Sequence, residues 1–416
     1  MTKAKPEESK KNKSAGKVFL EELGKSSLIL PILAIITGLL FGGLIVALST
    51  EEVYTTWKDS PIRAIGTGLG AAVDAYAALF TGSIGDPVKI INAIQSGDSL
   101  AIRRAFNPFF ESLVKSIPYI YAGLAVALGF RAGLFNIGVE GQIAIGAIFA
   151  TVVGFTIKGL PLIIHLPLAM GAGALGGALW GFIPGWLKAK TGGHEVINTI
   201  MMNYIAFRLS EWLLRGPLQR PEAGYPVSPI VEDSAKLPRF FQNPIRFHLG
   251  FFIALGFAWL VYWFLFKTKW GFDLRTVGSN PRAARYAGMN IVRSIILTMV
   301  LSGALAGLAG ANQVLGVTHY VALAFSAGYG FDSIALALLG KSHPLGVVLA
   351  ALLFGTLRNG ATKMQLAAGI PIDIISVLQA LILAFIAAPA IIRTIYRLKE
   401  PEEAEEGVRV GGWGGS

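Results

Sequence analysis

Between Ser27 and Leu48 the chain runs for 22 residues without one charged side chain. A helix of that length reaches about 33 Å, the depth of a bilayer's hydrocarbon layer. Predominantly apolar runs, some with one to three charges, recur at about 108–130, 133–157, 162–187, 194–214, 250–266 and 291–313. Two shorter runs, about 325–340 and 345–357, precede a last one at about 372–392. Only 15% of the residues are charged, against about a quarter in soluble domains, which disfavours a soluble helical protein. The expected fold class is an all-α polytopic membrane protein with about ten transmembrane helices. The expected division is a basic cytoplasmic tail (1–26), a transmembrane domain (27–398) and an acidic, Gly-rich disordered tail (399–416).

A net charge of +11 suggests nucleic acid until its placement is considered. Lys3, Lys5, Lys10, Lys11, Lys13 and Lys17 form a polybasic segment just before the first span, as expected of a cytoplasmic face meeting anionic lipid. The run behind it is full span length without a small-residue cleavage site, so it reads as an uncleaved anchor. By the positive-inside rule the inner connectors are those at Arg131, at Lys188 and Lys190, at 267–293 and at Lys341, with Asn359 outside. Arg393, Arg397 and Lys399 follow the last span and put the C-terminus inside as well. The Pro-rich connector 215–249 falls outside despite Arg215, Arg220, Lys236, Arg239 and Arg246. Residues 50–107 read as a mixed connector holding a short helix around Ile65–Leu79. The chain has no cysteine, which excludes disulfides, thiolate metal sites and a Cys nucleophile; no cofactor or metal is expected.

Polar residues inside the spans are the candidates for function, because a polar group facing lipid is costly. Glu195, Asn198, Thr199, Met202 and Asn203 share one helical face, suited either to helix–helix hydrogen bonds or to a pathway for sugar hydroxyls and base edges. Asn136, Glu140 and Gln142 open another span; Asn136 and Glu140 share a face if that stretch is helical, while Gly138 and Gly141 invite a break. Gly303 and Gly307 have the GxxxG spacing of close helix packing, and the run Gly171–Gly177 reads the same way. Ala335–Ser342 ends like a P-loop but lacks the first glycine and a preceding strand, so Lys341 reads as an edge anchor. Between two spans, Asn280 can cap a short helix with Pro281 at its first position and Gly288 at its stop. That helix, about two turns carrying Arg282, Ala283, Ala284 and Arg285, is more than a connector needs and suits a lever worked by a separate ATPase.

FRAGLFNIGVEGQ, then HEVINTIMMNYIA, then TVGSNPRAARYAGMNIVRSIILTMVLSGALAGLAG together resemble the permeases of ribose/galactoside-type ABC importers, and most of all the nucleoside (guanosine-type) group. The resemblance covers about residues 28–395. It implies the ten-span ABC-importer permease fold with both termini cytoplasmic, and a coupling segment within 272–290. It also implies an ABC ATPase, a second permease chain in a heterodimer and an extracellular substrate-binding lipoprotein as partners, in the plasma membrane and without nucleic acid. The expected function is translocation of a nucleoside, with a simple sugar as the alternative cargo. A stand-alone secondary transporter using Glu140, His194 and Glu195 is a rival from another class. A membrane-embedded enzyme is the third: no nucleophile–base or metal-ligand set stands out.

Overall fold

A computed structural model describes residues 29–398 except Glu222, Ala327 and Ile372; the two tails inferred from sequence lie outside the described residues. The described chain is helical, with two isolated β-bridges, Val227 to Ala322 and Arg239 to His248. In order the helices are α1 (Ile29–Ser49), α2 (Glu51–Trp57), α3 (Pro61–Ser83), α4 (Pro87–Ser96), α5 (Ser99–Arg131), α6 (Val139–Thr156), α7 (Leu162–Thr191) and α8 (Glu195–Arg215). After a long connector come α9 (Gly250–Lys267), α10 (Lys269–Ser279), α11 (Pro281–Tyr286), α12 (Ile291–Gln313), α13 (Tyr329–Leu339), α14 (Pro344–Ala368), α15 (Asp373–Ala387) and α16 (Pro389–Ile395).

Among the described residues eight helices are long and apolar enough to cross a bilayer, or nine if α15 and α16, bent by 88° at Ala388, count as one. The expectation of about ten differs at four places. The run 325–340 forms only the 11-residue α13, which is not among the eight. The 50–107 connector is itself helical, and its α3 is one of the eight. Ser60, Asp86 and Asp98 each cap the helix that follows, and Pro61 and Pro87 stand at first positions, the signals that start helices. The run 345–357 continues to Ala368, so Asn359 is not in an outer loop; it is buried within α14. α8 spans 21 residues but carries Glu195, Arg208, Glu211 and Arg215 and is not among the eight.

Small residues set the close packing. A Cβ on Gly303 would lie 2.2 Å from the Gly177 carbonyl oxygen, and one on Gly307 would lie 2.1 Å from that of Gly173. The glycine run of α7 and the GxxxG of α12 therefore pack backbone to backbone, as expected for membrane helices, where small residues permit approach. One core gathers α5, α6, α7, α9, α12, α13 and α14. A second joins α1, α3, α14 and α15 through Val46, Ala75, Leu79, Met364 and Leu378.

The basic connectors meet at one end of the bundle. Arg131 donates to the carbonyls of Ser342 (2.9 Å) and Lys341 (3.2 Å). Arg131 and Arg275 both lie over the Phe266 ring, at 5.6 and 5.1 Å. Ser83 sits against Ser112 and Asn359 (Ser112 Oγ to Ser83 O, 2.7 Å), about 28 Å along α5 from Arg131. The end of α3 thus lies in the membrane half remote from the basic end.

Candidate functional site

Two broken segments meet in the interior of the bundle. After Arg131 the chain turns through Gly133 (φ 70°) and re-enters as a loop, with α6 beginning only at Val139. A Cβ at Gly133 would lie 3.0 Å from the Gly278 backbone, so glycine is needed there for both φ and space. On the other side α12 runs into a π-helical turn, Val314–Thr318, and stops at His319 (φ 64°); helix resumes at Tyr329.

Glu140, 3% exposed, joins the two breaks. Its carboxyl accepts from Ser326 Oγ (2.5 Å), Gly328 N (2.9 Å) and Gly330 N (2.5 Å). Backbone donors at the start of α13 thus receive a side chain of the kind a helix N-terminus favours. Asn136 lies in the loop rather than on a helical face shared with Glu140. Its amide donates to Gln142 Oε1 (3.0 Å) and Ser302 Oγ (2.9 Å), while its oxygen accepts from Gly138 N (3.0 Å). Ser302 donates onward to Ala125 O at 2.7 Å.

The stripe on α8 divides. Asn203 is spent on the α6 entrance, accepting from Gly141 N (2.8 Å) and donating to Ile137 O (3.0 Å). Thr199 is buried and donates to Val196 O. Met202 is buried beneath Trp180, whose indole donates to the Met202 carbonyl at 3.1 Å. Asn198 is half-buried, and Glu195 pairs with Lys188 at 2.9 Å. The same face continues beyond the predicted stripe to Phe207, Ser210 and Glu211. These three, with Glu140, Ala144, residues 321–326 and Gly328, enclose a cavity of about 380 Å³.

Sequence reasoning also missed a cluster behind α13. Asp332 pairs with Arg358 of α14 (3.5 Å) and accepts from the Tyr119 hydroxyl (2.8 Å), while Tyr329 packs edge-on against Tyr119 with ring centres 4.9 Å apart. It braces the loop end that holds Glu140. A charged residue in each of two separate spans was its only signal.

At the basic end Asn280 accepts from Arg282 N and Ala283 N, both at 3.0 Å, and α11 follows from Pro281 to Tyr286. Ala284 is fully buried, Arg282 and Arg285 are exposed, and Gly288 has φ 76°. The helix has six residues, somewhat shorter than the two turns expected. Among the described residues no group of three His, Asp or Glu side chains is placed to hold a metal ion.

A family model described as branched-chain amino acid transport system, permease component, matches residues 108–387. The chain belongs to this permease family. It is 39% identical over 378 residues to the guanosine ABC transporter permease protein NupP of Bacillus subtilis (strain 168), covering 89% of this chain and 96% of that protein. It is 38% identical to the glucose ABC transporter permease protein TsgB13 of Haloferax volcanii, over 66% of this chain and 75% of that one. The nucleoside ABC transporter permease protein NupB of Lactococcus lactis is 34% identical, over 72% of this chain and 84% of its own length. No solved structure matches.

Proposed function

We propose that this permease is the membrane subunit of an ABC importer that carries a purine-type nucleoside. The observation that supports it most is the cavity between α6, α8 and the connector residues 321–326 with Gly328, framed by two helix breaks and lined by both aromatic and polar groups. Broken helices around a midplane site are a recurrent way to place polar groups along a transport path. In this reading Glu140 forms the cavity wall, and Asn136, Gln142, Thr199, Met202 and Asn203 hold the backbone behind it. Asn198 lines the approach from the basic end. Nucleoside is favoured as cargo because two of the relatives carry guanosine or nucleoside in their names. A simple sugar is the second reading, supported by the glucose permease relative.

The power stroke comes from a separate ATPase docked at α11, which buried Ala284 seats on this chain while Arg282 and Arg285 stay exposed toward the partner. An extracellular binding protein delivers the cargo, and a second, similar permease completes the pore. The paired NupP/NupQ and NupB/NupC relatives support that pairing. Both termini face the cytoplasm. The clustering of Arg131, Arg275 and Lys341 supports the side, and the Thr37 to Tyr396 contact (3.0 Å) brings the two ends of the described chain together. This topology requires both ends of α3 to lie on the outer side, so that α3 does not cross despite its length, in keeping with its end beside Ser112.

The test is ATP-driven uptake into proteoliposomes holding both permeases, the ATPase and the binding protein. Radiolabelled guanosine should accumulate and glucose should not. Glucose uptake without guanosine uptake overturns the cargo assignment, and ATP hydrolysis by this chain alone overturns the division of labour.

A further inference from the structure

The geometry points to a nucleoside subsite on α8: the base lies against Phe207, and the ribose hydroxyls donate to Glu211 with Ser210 beside them. This rests on the nucleoside reading above and assigns residues that the polar stripe ending at Asn203 does not include.

Phe207, Ser210 and Glu211 line the cavity together. Its volume of about 380 Å³ lies in the range of small-ligand pockets. The Phe207 ring is held edge-on by Tyr204, with centres 6.4 Å apart, and 37% of the residue is exposed. A presented aromatic face takes any base, because every base has a π-face. Glu211 accepts from Arg208 Nη1 (2.9 Å) and Arg215 Nε (3.0 Å), one guanidinium on each carboxyl oxygen. A third of its side chain remains exposed, and two carboxyl oxygens offer about four acceptor sites, so capacity for hydroxyl donors is left over. Ser210 Oγ is buried with no hydrogen-bond partner. Buried hydroxyls without a partner are rare and call for an explanation; a ligand hydroxyl in the adjoining cavity supplies one. Glu140 differs, since its oxygens are already occupied by α13.

The mouth of the cavity does not suit lipid. Arg208 is 84% exposed at its side chain, and Tyr204 (62%) and Trp212 (63%) stand out from the same helix. Charges on a helix at membrane depth are placed toward protein or water, so this face borders the second permease or a water-filled path rather than acyl chains. One aromatic plate, one carboxyl with free acceptor sites and one hydroxyl match a flat ring joined to a vicinal diol.

The experiment uses the complete transporter in proteoliposomes with saturating binding protein, comparing guanosine with its 2′,3′-dideoxy analogue. Phe207→Leu is expected to lower guanosine uptake about tenfold, the size of one lost base–aromatic stack, while Phe207→Tyr keeps it. Glu211→Gln is expected to lower guanosine uptake and leave the dideoxy analogue unchanged, narrowing the ratio between them. Assembly of the solubilised transporter complex, read by size-exclusion chromatography, should match wild type in all three. Wild-type uptake of guanosine together with unchanged rates and ratio in Phe207→Leu and Glu211→Gln overturns the subsite alone. Loss of complex assembly along with uptake assigns the residues to structure and overturns it too. Wild-type transport of sugar but not guanosine overturns the nucleoside reading first, and base stacking falls with it.

Discussion

Replacing Glu140 removes the acceptor on which the start of α13 depends. Its two oxygens serve Ser326 Oγ, Gly328 N and Gly330 N, at 2.5, 2.9 and 2.5 Å. In Glu140→Ala the serine hydroxyl can rotate, but two interior backbone N–H groups lose their partner, at about 1–3 kcal/mol each. Water from the adjoining cavity can reach part of this site, so the expected cost is the lower part of the sum, about 2–4 kcal/mol. Glu140→Gln keeps one oxygen for Ser326 and Gly328 but turns an amide N–H toward the Gly330 N–H, an opposed pair costing about 1–3 kcal/mol. Thermal unfolding of the purified chain in lipid nanodiscs should rank wild type above Gln and Gln above Ala. In domains of 150–250 residues each kcal/mol shifts Tm by about 2–4 °C, and less in longer chains, so the alanine variant should fall by several degrees. A Glu140→Ala midpoint within about 1 °C of wild type would refute the idea that this carboxyl organises the break.

Gly307→Leu should abolish folded yield, because even a Cβ there meets the Gly173 carbonyl oxygen at 2.1 Å, whereas Gly70→Ala, with open space around it, should be tolerated; size-exclusion profiles after solubilisation distinguish the two. Ala284→Leu, at a fully buried position of α11, should abolish substrate-stimulated ATP hydrolysis, while Arg282→Ala and Arg285→Ala should be mild, since exposed ion pairs contribute about 0–1 kcal/mol. His248, just ahead of α9, has its pKa lowered to about 4 by burial and then by Arg239, His319 and Arg246. The unfolded chain therefore binds the extra proton first: stability is full above about pH 6.5, falls as pH drops toward 4, and loses up to about 3 kcal/mol. Unfolding midpoints across that window should flatten in His248→Gln, and an equally steep profile in that variant would assign the dependence elsewhere.

The spans that read clearly from sequence are those whose apolar runs are unbroken, such as α1, α9 and α12, because lipid-facing length leaves a linear signal. The short helix α11 was legible for a different reason: Asn280, Pro281 and Gly288 are local signals, and each acts within a few residues of itself. α3 and α14 were misjudged because charged and amide side chains interrupt them. Arg358, Asn359 and Lys363 looked like the end of a run, yet each is satisfied across the bundle. Arg358 pairs with Asp332, Asn359 donates to Gly82 O and Pro108 O, and Lys363 donates to Thr81. Partners 26 to 282 residues away cannot be read from a window, and two of these are backbone carbonyls, which carry no residue signature.

The same limit explains why the intramembrane polar groups stayed ambiguous between packing and transport. Residue type does not separate the two roles; unused hydrogen-bonding capacity does. Asn136 and Asn203 have both ends of their amides engaged inside the protein, and Glu140 has both oxygens engaged by α13. Ser210 has no partner, and Glu211 has acceptor sites left beside a cavity. Substituting a fully engaged group releases buried donors and destabilises the chain, whereas substituting a group with capacity to spare leaves the fold and changes what the cavity holds. Stability measurements on the first set and transport selectivity on the second therefore report on different residues, and on α8 both kinds share one face. The boundary falls between Asn203 and Phe207, a single turn of α8.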